Sequence, residues 1–295
     1  SRLPSTLRLP YDGGDLTNYP ALLQLDSISG NLICSECEIT SFAGLSHLTY
    51  VGGTIHINEP HDTIENLEGL NNLTHIGGYL RFTECYTITS TIGLGTLTSL
   101  GGFSMSECSN LTEFIGFENI ELIPGNFSIS ECGQTPQNLS GFESVNFIGG
   151  DLIIDENNGM NSLEGLNNLR TLGGDLEIED NLILEDIDAL INLSNVGGEI
   201  DISDNEELQN LEGLTSLISI NGPIKIRNNE SLFDLFSVLQ GAIQILVGAI
   251  MARRQDELVN LKSHENLSPN IDPFSEKGSQ SEYNLVFKVK KSGDS

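Results

Sequence analysis

One phrase recurs along the chain about every 24 residues: Gly-Leu-x-x-Leu-x-x-Ile-Gly-Gly-x-Leu-x-Ile-x-x-Asn/Cys-x-x-Leu. Its clearest copy begins at Gly165-Leu166, passes through Gly173-Gly174-Asp175-Leu176-Glu177-Ile178 and reaches Asn181 and Leu184. A fixed period of this length demands stacking, because no single unit can bury its own apolar side. Within the unit, Leu-x-Ile alternates with period 2, which marks a strand with one buried face. The Gly-Gly pair before it marks a turn that needs either positive φ or close backbone approach. The Leu-x-x-Leu-x-x-Ile segment has a spacing near 3 and suits a short helical turn or an irregular return.

These features predict a right-handed parallel β-solenoid of about ten rungs, with strands ~4.8 Å apart. Rungs start at Gly44, Gly69, Gly93, Gly116, Gly141, Gly165 and Gly213, with Ala189 replacing Gly once, after a weaker first rung from Pro20 to Phe42. Residues 1–19 read as an N-terminal cap, 20–230 as the solenoid, 231–262 as a C-terminal cap and 263–295 as a tail with one candidate strand, Tyr283 to Val289. In the cap, Leu232, Leu235, Phe236, Leu239, Ile243, Leu246, Val247 and Ile250 follow helical spacing and predict a capping helix. Gly241 and Gly248 weaken that helix, and one further rung is the competing arrangement. The run from Leu235 to Ala252 is interrupted by Ser237, Gln240 and Gln244 and is barely long enough to cross a bilayer, so a membrane span is the less favoured reading.

Charge narrows the partners. The net charge is −29, from 42 acidic against 13 basic residues. A phosphate backbone needs a basic stripe, so nucleic acid is excluded, and anionic lipid nearly as firmly. Strong acidity suits a soluble, self-repelling surface, a saline habitat or bound cations.

The stretch from Leu176 to Leu184 resembles the leucine-rich-repeat core Leu-x-Leu-x-x-Asn/Cys-x-Leu. The Ile148-Gly149-Gly150-Asp151-Leu152 phrase resembles the receptor L-domain, the ligand-binding solenoid of receptor ectodomains that also occurs in microbial surface proteins. The likeness spans residues 20 to 230 and implies a leucine-rich, receptor-L-domain type of solenoid at a cell surface. No cysteine-rich module flanks these repeats, so a growth-factor role is not implied.

The period sorts residues into columns. Asn157, Asn181, Asn205 and Asn229 share one, continued by Cys37, Cys85, Cys108 and Cys132 and interrupted by Pro60. An inward Asn satisfies turning backbone that the sheet cannot pair, and Cys is a small buried substitute. Cys34 takes an inward strand position, and a local disulfide with Cys37 is open. The preceding column reads Glu36, Glu59, Glu84, Glu107, Glu131, Glu156, Asp180 and Asp204, then Asn228. Like charges ~4.8 Å apart repel by about 1 kcal/mol per pair in water, so this column has either compensation or full solvation. Solvated acids accepting turn N–H bonds are the first reading, and a divalent cation on Glu84, Glu107, Glu131, Glu156, Asp180 and Asp204, with Ca²⁺ favoured by the all-oxygen set, is the second.

Outward strand positions are graded. Early rungs are neutral, with Thr54, His56, Asn58, Ser104 and Ser128. Middle rungs are acidic, with Asp151, Asp155, Asp175, Glu177, Glu179, Glu199 and Asp201. The last carry Lys225 and Arg227. The acidic block is the expected binding face for a cationic partner or a Ca²⁺-bridged glycan. Asn-x-Ser/Thr sequons begin at Asn72, Asn110, Asn126, Asn138, Asn192, Asn229 and Asn266, and the inward Asn229 should be unavailable. The histidines scatter over different columns, and no metalloprotease, nucleophile-elbow or phosphate-loop motif occurs. The expectation is a non-enzymatic, extracellular recognition or adhesion module for a protein or glycan. The alternative is a structural subunit that binds copies of itself in a filament, matrix or surface layer.

Overall fold

The computed structural model describes residues 1–232 apart from 4, 11–13, 61–63 and 135. The expected C-terminal cap beyond Leu232, the apolar run 235–252 and the tail lie outside the described residues. The chain coils into a parallel β-solenoid of about nine turns, one fewer than the sequence suggests. Every turn contributes a strand to one long sheet: Leu32–Ser35, Ile55–Asn58, His75–Thr83, Ser99–Ser106, Phe127–Ser130, Leu152–Asp155, Leu176–Glu179, Ile200–Ser203 and Ile224–Arg227, with Leu7–Arg8 paired on the outer side of the first. All pairings are parallel and most are separated by one repeat: Leu152 faces Leu176, which faces Ile200, which faces Ile224.

A second, narrower ladder of two-residue strands runs beside it, from Leu122–Ile123 through Phe147–Ile148, Thr171–Leu172 and Asn195–Val196 to Ser219–Ile220. In the first turns a like ladder, Arg2–Leu3, Ser27–Ile28 and Tyr50–Val51, joins the long sheet through His75–Thr83, which with Ser99–Ser106 runs unbroken round the corner. The return segments hold short 3-10 turns such as Ala43–Leu45, Asp188–Asn192 and Glu212–Leu214, as the spacing near 3 suggests. Among the described residues no helix is long and apolar enough to cross a membrane.

The Gly-Gly pairs serve close approach and not positive φ. A Cβ on Gly197 would strike the Gly173 carbonyl, and one on Gly173 would strike the Gly149 carbonyl. Positive φ falls instead on the acidic column. Glu36, Glu59, Glu84, Glu107, Glu131, Glu156, Asp180, Asp204 and Asn228 all have φ between 45° and 59°. At this residue the strand leaves the sheet and the chain turns sharply, which places Cys37, Cys85, Asn157 and their equivalents inside.

The core is a set of stacked files. Leu152, Leu176 and Ile200 form one, and Ile154, Ile178 and Ile202 the next, all fully buried. The middle turns are filled by phenylalanine: the Phe103 and Phe127 rings stack at 5.1 Å between centroids, and Phe142 meets Phe127 edge-on at 4.9 Å. Each such pair adds ~0.5–1.5 kcal/mol beyond its burial.

The polar ladder inside the turns is closed bond by bond. Asn181 Oδ1 accepts the Asn157 backbone N–H at 3.1 Å, while its Nδ2 donates to the Ile154 carbonyl at 2.9 Å and the Glu179 carbonyl at 2.7 Å. Asn205 repeats the pattern one turn on, toward Asn181, Ile178 and Ser203. In the earlier turns, the Cys132 thiol donates to the Ser130 carbonyl at 3.2 Å and Cys108 to Ser106 at 3.1 Å. Burial raises both thiols, Cys132 to about 12, and a hydrogen bond with Cys85 is the larger cause at Cys108. These are inert, protonated core groups.

Candidate binding face

The outward side of the long sheet carries two columns. Register places Ser128, Ile153, Glu177, Asp201 and Lys225 in one, and Ser130, Asp155, Glu179, Ser203 and Arg227 in the other. The residue just after Gly-Gly forms a third file at their margin. Its members divide the expected binding residues into three groups with different roles.

Asp151 and Asp175 serve the backbone. Asp151 Oδ1 accepts the Asp175 N–H at 2.9 Å, and Asp175 Oδ1 accepts the Glu199 N–H at 2.7 Å. Asn31, Thr54 and Asn126 do the same in their turns, toward Thr54, Tyr79 and Asp151. Gly102 cannot, having no side chain. There Tyr79 lies across the glycines, and its hydroxyl accepts the Asn126 N–H at 3.1 Å from two turns away. The recurrence of Asn, Thr or Asp after Gly-Gly was the available signal for this role, since these short side chains bond nearby backbone.

Glu199 and Asp201 are already neutralised. Lys225 Nζ donates to Glu199 at 2.8 Å and lies 3.3 Å from Asp201, while Arg227 donates to both oxygens of Asp201 at 2.9 and 2.8 Å. Asp201 is only 4% exposed, so its charge depends on those two cations.

Asp155, Glu177 and Glu179 remain as the charged centre. Asp155 faces Glu179 directly across the strand pair, and Ile153 faces Glu177. Like charges so placed repel. Partial burial pushes the Asp155 carboxyl up to about 6, helped by the charges of Glu156, Asp180, Glu179 and Glu131. Burial first and then Asp151, Asp175, Glu179 and Glu199 raise Glu177, and burial followed by Asp201 raises Glu179. The sheet therefore holds three carboxyls whose ionised form is disfavoured, and an approaching cation would stabilise all three.

The file expected to hold a cation is present as a file. The Glu84 N–H donates to Ser106 O, Glu107 to Ser130 O, Glu131 to Asp155 O, Glu156 to Glu179 O, Asp180 to Ser203 O and Asp204 to Arg227 O, so each of the six sits above the next. Four of them, Glu107, Glu131, Glu156 and Asp180, are exposed, and Glu84 and Asp204 are half-buried. Among the described residues no three His, Cys, Asp or Glu side chains converge on a point that could hold a metal ion. Left-handed backbone suits Asp180, Asp204 and Asn228, whose short polar side chains tolerate it; nothing in the geometry explains why the other six are Glu.

Arg81 is an outward residue that the sequence reading passed over. It pairs in register with His56 and Ser104, is exposed, and its guanidinium lies 5.5 Å from the Tyr79 ring centroid. Its place in Leu80-Arg81-Phe82, an ordinary Leu-x-Ile equivalent, was the signal. Desolvation, then the Arg81 charge, depresses the His56 imidazole. The early face thus carries Arg8 and Arg81 where the middle is anionic. Under the first turn, Cys34 and Cys37 form a disulfide, which settles their open alternatives, while Cys85, Cys108 and Cys132 are free and buried. No family model, curated protein or solved structure matches this chain.

Proposed function

We propose that the chain is a non-enzymatic recognition or adhesion module of the cell surface or extracellular matrix, a right-handed solenoid of leucine-rich, receptor-L-domain type. Its ligand is a cationic segment of a protein, or a glycan bearing cationic groups, seated on the acidic centre of the long sheet. The observation that carries this reading is the contrast between two neighbouring acid groups. Glu199 and Asp201 are matched by Lys225 and Arg227, whereas Asp155, Glu177 and Glu179 are pressed against the sheet and one another with raised proton affinity. The first group displays the kind of complement that Asp155 and Glu177 lack and that Glu179 has only in part, from Ser203 and the more distant charge of Arg227. The Cys34–Cys37 disulfide suits an oxidising compartment.

The test is titration with a hexalysine peptide at low and physiological ionic strength. Binding should weaken by at least tenfold in the triple variant Asp155→Asn, Glu177→Gln, Glu179→Gln, and much less in Glu199→Gln. Equal losses in both variants would place the ligand elsewhere or reduce the effect to net charge. Repeating the titration with Ca²⁺ and with chelator separates direct recognition, which is unchanged, from a cation-bridged mode.

A further inference from the structure

Among the described sequons, three asparagines share one geometry. Asn72, Asn110 and Asn192 are exposed and lie in connecting segments, outside the strands. Each uses its side-chain amide to bond one carbonyl of the preceding turn: Asn72 Nδ2 donates to Ser46 O at 2.7 Å, Asn110 to Tyr86 O at 2.5 Å and Asn192 to Asn167 O at 2.7 Å. An N-linked sugar replaces one of the two hydrogens on Nδ2 and leaves the other. A side chain that donates a single bond can therefore carry the sugar outward and keep the bond that ties its turn to the one before.

Two other sequons are held differently. Asn229 donates both Nδ2 hydrogens, to Ile202 O at 2.9 Å and Arg227 O at 2.9 Å, while its Oδ1 accepts from Asn205. Adding a sugar there would break the internal ladder. Asn126 is half-buried on the outward sheet and is held at both ends by Asp151, whose N–H it accepts at 3.1 Å and whose carboxylate it donates to at 2.9 Å. Asn138, half-buried in a turn, is left out of the assignment.

We infer that Asn72, Asn110 and Asn192 are N-glycosylation sites and that Asn126 and Asn229 are not. The donor is a lipid-linked oligosaccharide. The Asn amide nitrogen forms a bond to the anomeric carbon, the bond from that carbon to the lipid diphosphate breaks, and the amide proton passes to a base of the transferase. Transfer precedes stacking of the turn, because in the folded chain the sequon hydroxyls of Thr74, Thr112 and Ser194 are committed to the Thr49, Thr89 and Arg170 carbonyls; a sugar on Asn126 or Asn229 would then block stacking, so the folded chain carries none there. The modified sites clothe the connecting segments and leave the acidic sheet face open. The inference rests on the secretory placement proposed above.

The experiment is glycopeptide mapping of the full chain purified from its native cells, after fractionation, with enzymatic deglycosylation in ¹⁸O water to mark each formerly occupied Asn as labelled Asp. Label at Asn72, Asn110 and Asn192, with none at Asn126 or Asn229, is the expected result. A chain recovered from the surface fraction with the three sites bare, or with Asn126 or Asn229 occupied, overturns the inference and leaves the surface reading standing. A bare chain recovered from the cytosol overturns both. As a structural control, Asn72→Asp keeps the exposed position but cannot donate, so it should lose the Asn72 label alone and leave the other two unchanged.

Discussion

Removing the Asn181 side chain should separate a ladder of hydrogen bonds from a merely tolerated polar core. Asn181 is fully buried and makes three backbone bonds: it accepts from Asn157 N–H and donates to the carbonyls of Ile154 and Glu179. Asn181→Ala leaves the Asn157 N–H without its partner and takes one of two donors from the Ile154 carbonyl, which keeps its strand bond in register with Ile178. At ~1–3 kcal/mol for the orphaned buried group, with the lost second bonds and the small cavity added, the loss is about 2–4 kcal/mol. Asn181→Cys should cost much less, about 1–2 kcal/mol. The native Cys132 shows how: its thiol donates to Ser130 O, the equivalent of Glu179 O, and its sulfur faces the backbone of Cys108, the equivalent of Asn157. The Ile154 carbonyl then keeps its strand bond alone. Urea unfolding followed by far-UV circular dichroism gives the stability difference, and amide hydrogen exchange at Asn157 reports the local opening. The reasoning fails if Ala costs under 1 kcal/mol, if Cys costs as much as Ala, or if exchange at Asn157 does not accelerate in Ala.

Further perturbations probe other parts of the solenoid. Tyr79→Phe removes the only side-chain acceptor for the Asn126 N–H across Gly102, and should lower stability by about 1–2 kcal/mol in urea unfolding with little change in circular dichroism. The Asp155 carboxyl, raised to about 6, binds more protons folded than unfolded between about pH 4 and 6, so stability falls as pH rises through that window. Asp155→Asn should flatten this part of the profile and add about 1 kcal/mol at pH 7, a figure reduced for the solvent exposure of the group; an unchanged slope between pH 4 and 6 would reject the assignment. At the left-handed Glu107, with φ 53°, Val should cost about 1–2 kcal/mol while Gly is neutral or slightly stabilising, since only the first pays the steric penalty.

The columns were legible in the sequence because a fixed repeat converts linear spacing into spatial neighbours. The inward Leu and Ile files, the buried Asn and Cys ladder and the vertical file of Glu84, Glu107 and Glu131 all sit where the period puts them. The roles within a column were harder to read. Asp151 and Asp155 look alike as outward acids, yet the first holds the next backbone amide and the second stands among repelling charges. The Gly-Gly pair was read as a choice between positive φ and close approach, and the backbone of the neighbouring turn decides for the latter.

Periodicity alone determined that this chain winds, which side chains face inward, and that its surface charge is negative. These follow from one unit repeated, where burial of the same positions in every copy is the only arrangement available. What required the tertiary structure was the pairing between turns: that Lys225 and Arg227 extinguish Glu199 and Asp201, that Tyr79 stands in for a missing side chain two turns away, and that a left-handed residue follows each strand of the long sheet from Leu32–Ser35 to Ile224–Arg227. Such details depend on distances of a few ångströms between residues some 24 to 47 apart in sequence, and a repeat pattern specifies the file but not the reach or hydrogen-bond partner of each member.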